Sequence, residues 1–160
     1  MSECTMSNEF LSRHSMFGGL SDADLTIIRP LLDQRTYPKG TILLRQGEPN
    51  NTVYFIVHGE ISIQKHSENG NPEEREISSL LAGDSFGEME LIDVQSCAAS
   101  AICVTDVCVI TLSNRDLYRL SKSHLMLYTM IILNLARDIS RRLRKTDSLL
   151  VMLSKHEAPD

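Results

Sequence analysis

The chain has 160 residues and a mass of 18.0 kDa, so a single domain is expected, since domains cluster at roughly 100–150 residues. Its apolar fraction of 42% and charged fraction of 23% are those of a protein with an ordinary hydrophobic core. The formal net charge of −5 argues against nucleic acid as a direct partner, because proteins that neutralise phosphates normally present a basic surface.

The beginning of the sequence predicts helices. NEFLSRHSMFGGL (8–20) is typical of a short helix that ends at its two glycines. In SDADLTIIRPLLD (21–33), Ser21 and Asp24 have the spacing of a capping box, and Pro30 predicts a kink or an early end. The inner face of this second helix is expected to carry Leu25, Ile28 and Leu32.

The middle of the chain changes to the alternating pattern of strands. TVYFIVHGEISIQK (52–65) alternates most clearly, and Gly59 predicts a tight bend or bulge within it. The polar stretch 66–75 predicts a hairpin loop. The other strand and turn segments, which bring the expected number of strands to about eight, are 35–41, 42–51, 76–83, 98–104 and 107–113.

Beyond residue 113 the apolar pattern becomes helical, with a short helix at 114–123 and a long amphipathic helix at 124–153. This order predicts an α+β, mainly β fold: an antiparallel, jelly-roll-like β-roll flanked by N-terminal helices and a long C-terminal helix. The expected organisation is a flexible N-terminus (1–8), a domain at 9–153 with its β-roll at 35–113 and terminal helices at 114–153, and a flexible tail (154–160).

Five segments occur in one order along the chain: FGGLSDADL, YPKGTILLRQGEP, VYFIVHGEISI, GDSFGEMEL and TDVCVITLSNRDLYRL. In this order and spacing, from about Phe10 to Leu153, they resemble the cyclic nucleotide-binding domain of the catabolite activator protein and protein kinase A regulatory subunit superfamily. The resemblance implies a regulatory module that senses cAMP, cGMP or a related anionic ligand.

The stretch FGEMELIDVQSCAAS (86–100) resembles the phosphate-binding cassette of that family. Gly87 allows a close approach of the backbone to a ligand, and a short helix through EMELI would direct N–H groups towards a phosphate. The resemblance implies that Glu88 accepts a hydrogen bond from a ribose 2′-OH; the alternative is a carboxylate that caps a helix or strand end. Phe86 and Met89 complete this half of the expected site.

The second half of the cassette departs from the family pattern. Cys97 stands where the family has an Arg, Ala98 lacks the expected hydroxyl, and Ala99 follows in register. Glu90 adds negative charge where the family usually has a small residue. Because loss of one partner of a buried charged pair costs about 2–5 kcal/mol, weakened or altered affinity is expected.

The long helix carries a candidate replacement cation and a candidate dimer interface. The resemblance implies that Arg142 could approach the phosphate and Thr146 the base; the alternative is a solvated face or the rim of a helix–helix interface. An apolar stripe near coiled-coil spacing, part of which must cover the roll, makes this helix a dimerisation candidate: Ile132, Leu135, Ile139, Leu143, Leu150 and Leu153. The resemblance and the length of the helix favour a homodimer through it. Two functions are alternatives to a ligand-sensing module. One is a ligand-independent dimerisation or partner-binding scaffold, and the other is the effector domain of a transcription regulator without its helix-turn-helix.

Catalytic and targeting signals are not found in the sequence. It contains no G-x-S-x-G, H-E-x-x-H or P-loop, no signal peptide and no apolar run of about 18 residues. We therefore expect a cytoplasmic protein that is not an enzyme and holds no metal or cofactor.

Cys97 is a candidate for a lowered pKa near a helix N-terminus, although a buried filler is favoured. Cys103 and Cys108 flank a two-residue turn, where buried thiols are favoured over a disulfide.

Overall fold

The computed structural model describes residues 6–66 and 74–154, and it contains eight strands and five α-helices in this part of the chain. The helices are α1 (Asn8–Arg13), α2 (Asp22–Ile28), α3 (Met89–Asp93), α4 (Asn114–Ser123) and α5 (Leu125–Ser154). The strands are β1 (Leu32–Tyr37), β2 (Ile42–Leu44), β3 (Thr52–His58), β4 (Ile61–His66), β5 (Glu74–Leu80), β6 (Ser85–Phe86), β7 (Ser100–Cys103) and β8 (Val107–Ser113). The predicted roll with helices at both ends is confirmed. Most of the predicted hairpin loop and flexible ends lies outside the described residues.

The strands form two antiparallel four-stranded sheets, in the orders β1-β8-β3-β6 and β2-β7-β4-β5. Side chains of β3 enter two different cores. Val53 and Phe55 pack under the helices, whereas Ile56 packs between the two sheets. The first sheet is therefore the middle layer of the molecule, with helices on one face and the second sheet on the other.

The predicted capping box at the start of α2 is present. Ser21 Oγ accepts a hydrogen bond from the Asp24 N–H at 3.2 Å, and the Asp24 carboxylate accepts one from the Ser21 N–H at 2.9 Å. The helix ends at Ile28, before a 3-10 turn that contains Pro30, so of the kink and the early end predicted for this proline the early end is observed. Leu32 is buried, but its assignment to the helix is wrong: it begins β1 opposite Leu112, because proline at position 30 cannot continue the helical hydrogen bonds.

The predicted bend at Gly59 is confirmed by a φ of +96° between β3 and β4. A Cβ atom there would lie 2.5 Å from the carbonyl oxygen of Asp106, so the chain passes directly against the β7–β8 turn. Beside this turn, Cys103 is a free, buried thiol as favoured, but Cys108 is disulfide-bonded, so the favoured interpretation is wrong for Cys108. Because Cys103 is free, that disulfide does not cross the hairpin.

The 30 residues of α5 extend over about 45 Å, at 1.5 Å per residue. Its first half packs on the body of the protein, where the buried Asn134 amide donates to the carbonyls of Met16 and Gly18 at 2.8 and 2.9 Å. From Leu143 to Leu153 every side chain is exposed. Within the described part of the chain, no helix has the length and apolar character to cross a membrane.

Candidate ligand site at the cassette

The stretch 86–100 and the preceding Ser85, together called the cassette from here on, begin with the strand β6, which packs tightly on β3. The ring of Phe86 stacks on Tyr54 with centroids 4.8 Å apart. Gly87 has a φ of +79°, and a Cβ atom there would lie 2.6 Å from the carbonyl oxygen of Thr52. The Asn50 amide donates to the carbonyls of both Gly87 and Thr52. Close packing against β3 therefore explains this glycine without reference to a ligand.

The predicted short helix after the glycine is confirmed as α3. Glu88 occupies its N-cap position, but its side chain makes no capping hydrogen bond. The carboxylate therefore does not act as a cap, which was the alternative interpretation. Met89, the first residue of α3, is 49% exposed and lies at the surface of the expected site.

The Glu88 carboxylate is buried and is bound by α5. One oxygen, Oε1, forms an ion pair with Arg142, while the other, Oε2, is buried and has no hydrogen-bond donor among the described residues. Arg142 Nη2 also contacts Asp138 Oδ2 at 3.3 Å. The Arg142 guanidinium thus lies between two carboxylates, and Arg141 Nη1 lies 4.0 Å from the other oxygen of Asp138.

This environment raises the pKa of Glu88. Burial is the main cause, since it disfavours the ionised form, and the charges of Asp138 and Glu90 act in the same direction. The Arg142 guanidinium opposes them and lowers the pKa. The ionisation of Glu88 in the folded protein therefore depends on the position of Arg142.

The two helix residues predicted for the site differ in their surroundings. The side chain of Arg142 is 35% exposed and reaches the cassette, so it does not lie on a fully solvated face. Thr146 is exposed, and its hydroxyl donates to the Arg142 carbonyl at 3.1 Å, a bond within α5. Glu88 and Arg142 are brought together, and Thr146 lies one helical turn beyond them.

Cys97 lies in the core between the two sheets, with 3% of its surface exposed. Its N–H donates to the Glu48 carbonyl at 2.8 Å, and its carbonyl accepts from the Gly47 N–H at 2.9 Å. Burial raises the pKa of the Cys97 thiol, and the negative charges of Glu90 and Glu48 raise it further. The alternative of a lowered pKa is therefore not supported, because burial and then the nearby carboxylates disfavour a thiolate. The favoured interpretation as a buried filler agrees with the structure.

Cys97 also lines a cavity of about 340 Å³ between β2 and β3. Its charged lining residues are Arg45 and Glu48, both exposed. Next to Cys97, Ala98 is exposed and Ala99 is half-buried, so neither supplies a polar side chain to the cassette.

Sequence reasoning missed two residues of the cluster, Asp138 and Ser85. Ser85 is 1% exposed, and its hydroxyl donates to Asp138 Oδ2 at 2.9 Å. The four-residue spacing of Asp138 and Arg142 is visible in the sequence and places both on one helix face. No local signal marks Ser85, because its partner is 53 residues away.

Comparison with known proteins places this geometry in context. A family model described as a cyclic nucleotide-binding domain matches residues 34–124. The cyclic AMP receptor protein of Thermus thermophilus is 30% identical over 143 residues, which are 89% of this chain and 63% of that protein. The chain thus spans somewhat less than two thirds of the length of this relative.

Two solved structures share the fold at low sequence identity. A cyclic nucleotide-binding domain from Methylobacillus flagellatus superposes with a TM-score of 0.81 at 22% identity, over 95% of this chain and 83% of that one. The regulatory subunit of a cAMP-independent protein kinase A from Trypanosoma brucei gives 0.69 at 22% identity, over 81% of this chain and 44% of that one. At this level of sequence identity, the two comparisons show only that the fold is shared.

Proposed function

This chain belongs to the cyclic nucleotide-binding domain family, and we propose that it is a regulatory module that senses cAMP, cGMP or a related anionic ligand through Glu88. The observation that carries this proposal is the second carboxylate oxygen of Glu88, which is buried without a donor among the described residues. A buried acceptor without a partner costs about 1–3 kcal/mol, so a ligand hydroxyl placed there recovers a hydrogen bond that the protein does not make.

Arg142 prepares the carboxylate for this contact. Its guanidinium holds Oε1 and thereby fixes the orientation of Oε2. Because Glu88 is only 1% exposed, a ligand reaches Oε2 only after the cassette or α5 moves. Ligand binding is therefore coupled to the contact between the cassette and the long helix, which is the form of coupling a regulatory module requires.

The phosphate end of the site supports a weakened or altered affinity. Cys97 stands in the position of the family's arginine, and the carboxylates of Glu90 and Glu48 make its surroundings negative. A phosphate placed there meets repulsion in place of a charge-assisted pair.

A second candidate function is a dimerisation scaffold, favoured by the distal half of α5. Here Leu143, Leu150 and Leu153 are each more than half exposed. They continue the apolar stripe whose earlier member, Leu135, is buried against the body of the protein. A second copy of this helix would cover them in a parallel or antiparallel helix pair.

Isothermal titration calorimetry with cAMP and cGMP tests the ligand role. We expect weak binding by the unchanged chain, weaker binding by Glu88→Gln, and binding at least about tenfold tighter by Cys97→Arg, from a new charge-assisted pair. Ser96→Arg, which adds the same charge at the exposed neighbouring position, is the matched control and should leave the affinity nearly unchanged. Absence of heat with every folded variant contradicts the ligand role and favours the scaffold. Tight binding of either nucleotide by the unchanged chain contradicts the expected weakening of its affinity.

A further inference from the structure

A second contact joins α5 to the cassette beside the pair of Arg142 and Glu88. Ser85 of β6 donates its hydroxyl to Asp138 Oδ2 at 2.9 Å. The same oxygen accepts from Arg142 Nη2 at 3.3 Å, and that nitrogen also binds Glu88 Oε1. Four side chains thus form one continuous chain of hydrogen bonds, with two members from the cassette and two from α5.

The Arg142 guanidinium is contacted by Glu88 of the cassette and by Asp138 of its own helix. Ser85 and Glu88 flank the tightly packed Gly87, whose close approach to β3 fixes the strand that carries them. Asp138 and Arg142 are one turn apart on the same face of α5. A long arginine side chain loses considerable rotamer freedom when it is held in one position, so a single contact with Glu88 immobilises it less than two contacts do.

Among the described residues, the side-chain hydrogen bonds that connect Ser85 to Glu88 run through Asp138 and Arg142. Its hydroxyl makes no other side-chain hydrogen bond among the described residues, and it carries no charge of its own. Asp138 is 16% exposed at its side chain, so its orientation is set by the protein more than by water. A change at Ser85 therefore reaches Glu88 by altering first Asp138 and then Arg142.

We propose that Ser85 and Asp138 are positioning residues that hold Arg142 against Glu88, so that loss of either contact releases the guanidinium from the cassette. The relevance of this positioning to ligand binding rests on the proposed function, in which the Glu88 carboxylate accepts a hydrogen bond from the ligand hydroxyl. The positioning itself is a property of the ligand-free protein and is measured without any nucleotide.

The test is the mobility of Arg142 in the ligand-free chain, followed by the ¹⁵N order parameter of its Nε–H group. In the unchanged protein we expect a value close to that of rigid backbone, about 0.85; in Ser85→Ala we expect a fall below about 0.6. The ¹³C titration of the Glu88 carboxyl should show a raised pKa in this variant, because the opposing guanidinium has moved away. Ser85→Thr keeps the hydroxyl and should restore both values.

Ser62→Ala is the matched control, because Ser62 is also 1% exposed and also donates to a carboxylate, that of Glu76. This substitution should leave the order parameter of Arg142 and the pKa of Glu88 unchanged. If Ser85→Ala does not fold, Asp138→Asn provides the same order-parameter measurement, with the same fall expected. An Arg142 order parameter that stays at its original value in the folded variant contradicts the positioning role.

Nucleotide binding is decided separately, so the two proposals fail in different ways. A mobile Arg142 in Ser85→Ala together with no binding of cAMP or cGMP by the unchanged chain supports the positioning role and overturns the ligand role. An immobile Arg142 in that variant, with nucleotide binding intact, overturns the positioning role alone.

Discussion

Arg142 of α5 and Glu88 at the start of α3 form an ion pair although they are 54 residues apart in the chain. The pair lies where α5 leaves the body of the protein, since every side chain from Leu143 to Leu153 is exposed. Just before its exposed distal half, the long helix thus contacts the carboxylate proposed to bind a ligand.

Replacing Arg142 by Gln should destabilise the protein in a pH-dependent way. Loss of one partner of a buried ion pair costs about 3–5 kcal/mol, and we expect about 2 kcal/mol at pH 7 because the Arg142 side chain is 35% exposed. Chemical denaturation at several pH values measures this loss. Arg144→Gln, which removes an exposed charge on the same helix, should change stability by less than about 0.5 kcal/mol.

The sign of the pH dependence follows from the raised pKa of Glu88. A carboxyl that ionises at higher pH when folded contributes stability fully below its unfolded pKa of about 4.3, and this contribution is lost as the pH rises through the folded pKa. Without Arg142 the folded pKa of Glu88 rises further. The destabilisation by Arg142→Gln should therefore be small near pH 4 and grow towards pH 7; a difference independent of pH would contradict this assignment.

Gly87→Ala should be more destabilising than Gly40→Ala. Both glycines have a positive φ, +79° and +85°, so both substitutions carry the penalty of about 1–2 kcal/mol for a left-handed backbone. Only at position 87 does the added Cβ atom meet a backbone oxygen, that of Thr52 at 2.6 Å; at position 40 nothing lies within 4 Å. We expect a further loss of about 1–3 kcal/mol for Gly87→Ala, measured as the free energy of unfolding. Equal losses would contradict the close packing on β3.

The Cys97 thiol should react slowly with alkylating reagents. Only the thiolate is nucleophilic, and burial with the charges of Glu90 and Glu48 raises the pKa of this thiol. Mass spectrometry that resolves the labelled peptides should show alkylation of Cys97 at pH 7.5 at least about tenfold slower in the folded than in the denatured chain. Glu90→Gln should accelerate it and Glu9→Gln, at the remote helix α1, should not. Equal rates in the folded and denatured chains would show that Cys97 is accessible.

The proposed dimer should depend on the distal half of α5. Sedimentation velocity should show a dimer for the unchanged chain, and Leu150→Lys should weaken it at least about tenfold, because a buried ammonium replaces an apolar contact. Leu81→Lys removes an equally exposed leucine in the β5–β6 connection and should leave the dimer intact. An unchanged chain that stays monomeric at about 100 µM, and whose dissociation constant therefore lies well above that concentration, would contradict the dimer proposal.

The amino-acid sequence by itself determined the features that depend on neighbours along the chain. The capping box of Ser21 and Asp24, the end of α2 before Pro30, the bend at Gly59 and the extent of α5 were all predictable, because capping, ring geometry and apolar periodicity act over a few residues. The same local signals, together with the resemblance, identified the β-roll and the position of Glu88.

Only the tertiary structure decided which side chains meet. The partner of Glu88, the bond from Ser85 to Asp138 and the negative surroundings of Cys97 all join residues that are distant in sequence. Spacing along α5 indicated that Arg142 and Thr146 share a helix face, but only packing against the roll shows that Arg142 contacts the cassette and Thr146 remains exposed. The physical reason is that burial and charge at a site depend on how the two sheets and the helices pack against one another. Sequence patterns over a few residues do not determine that packing.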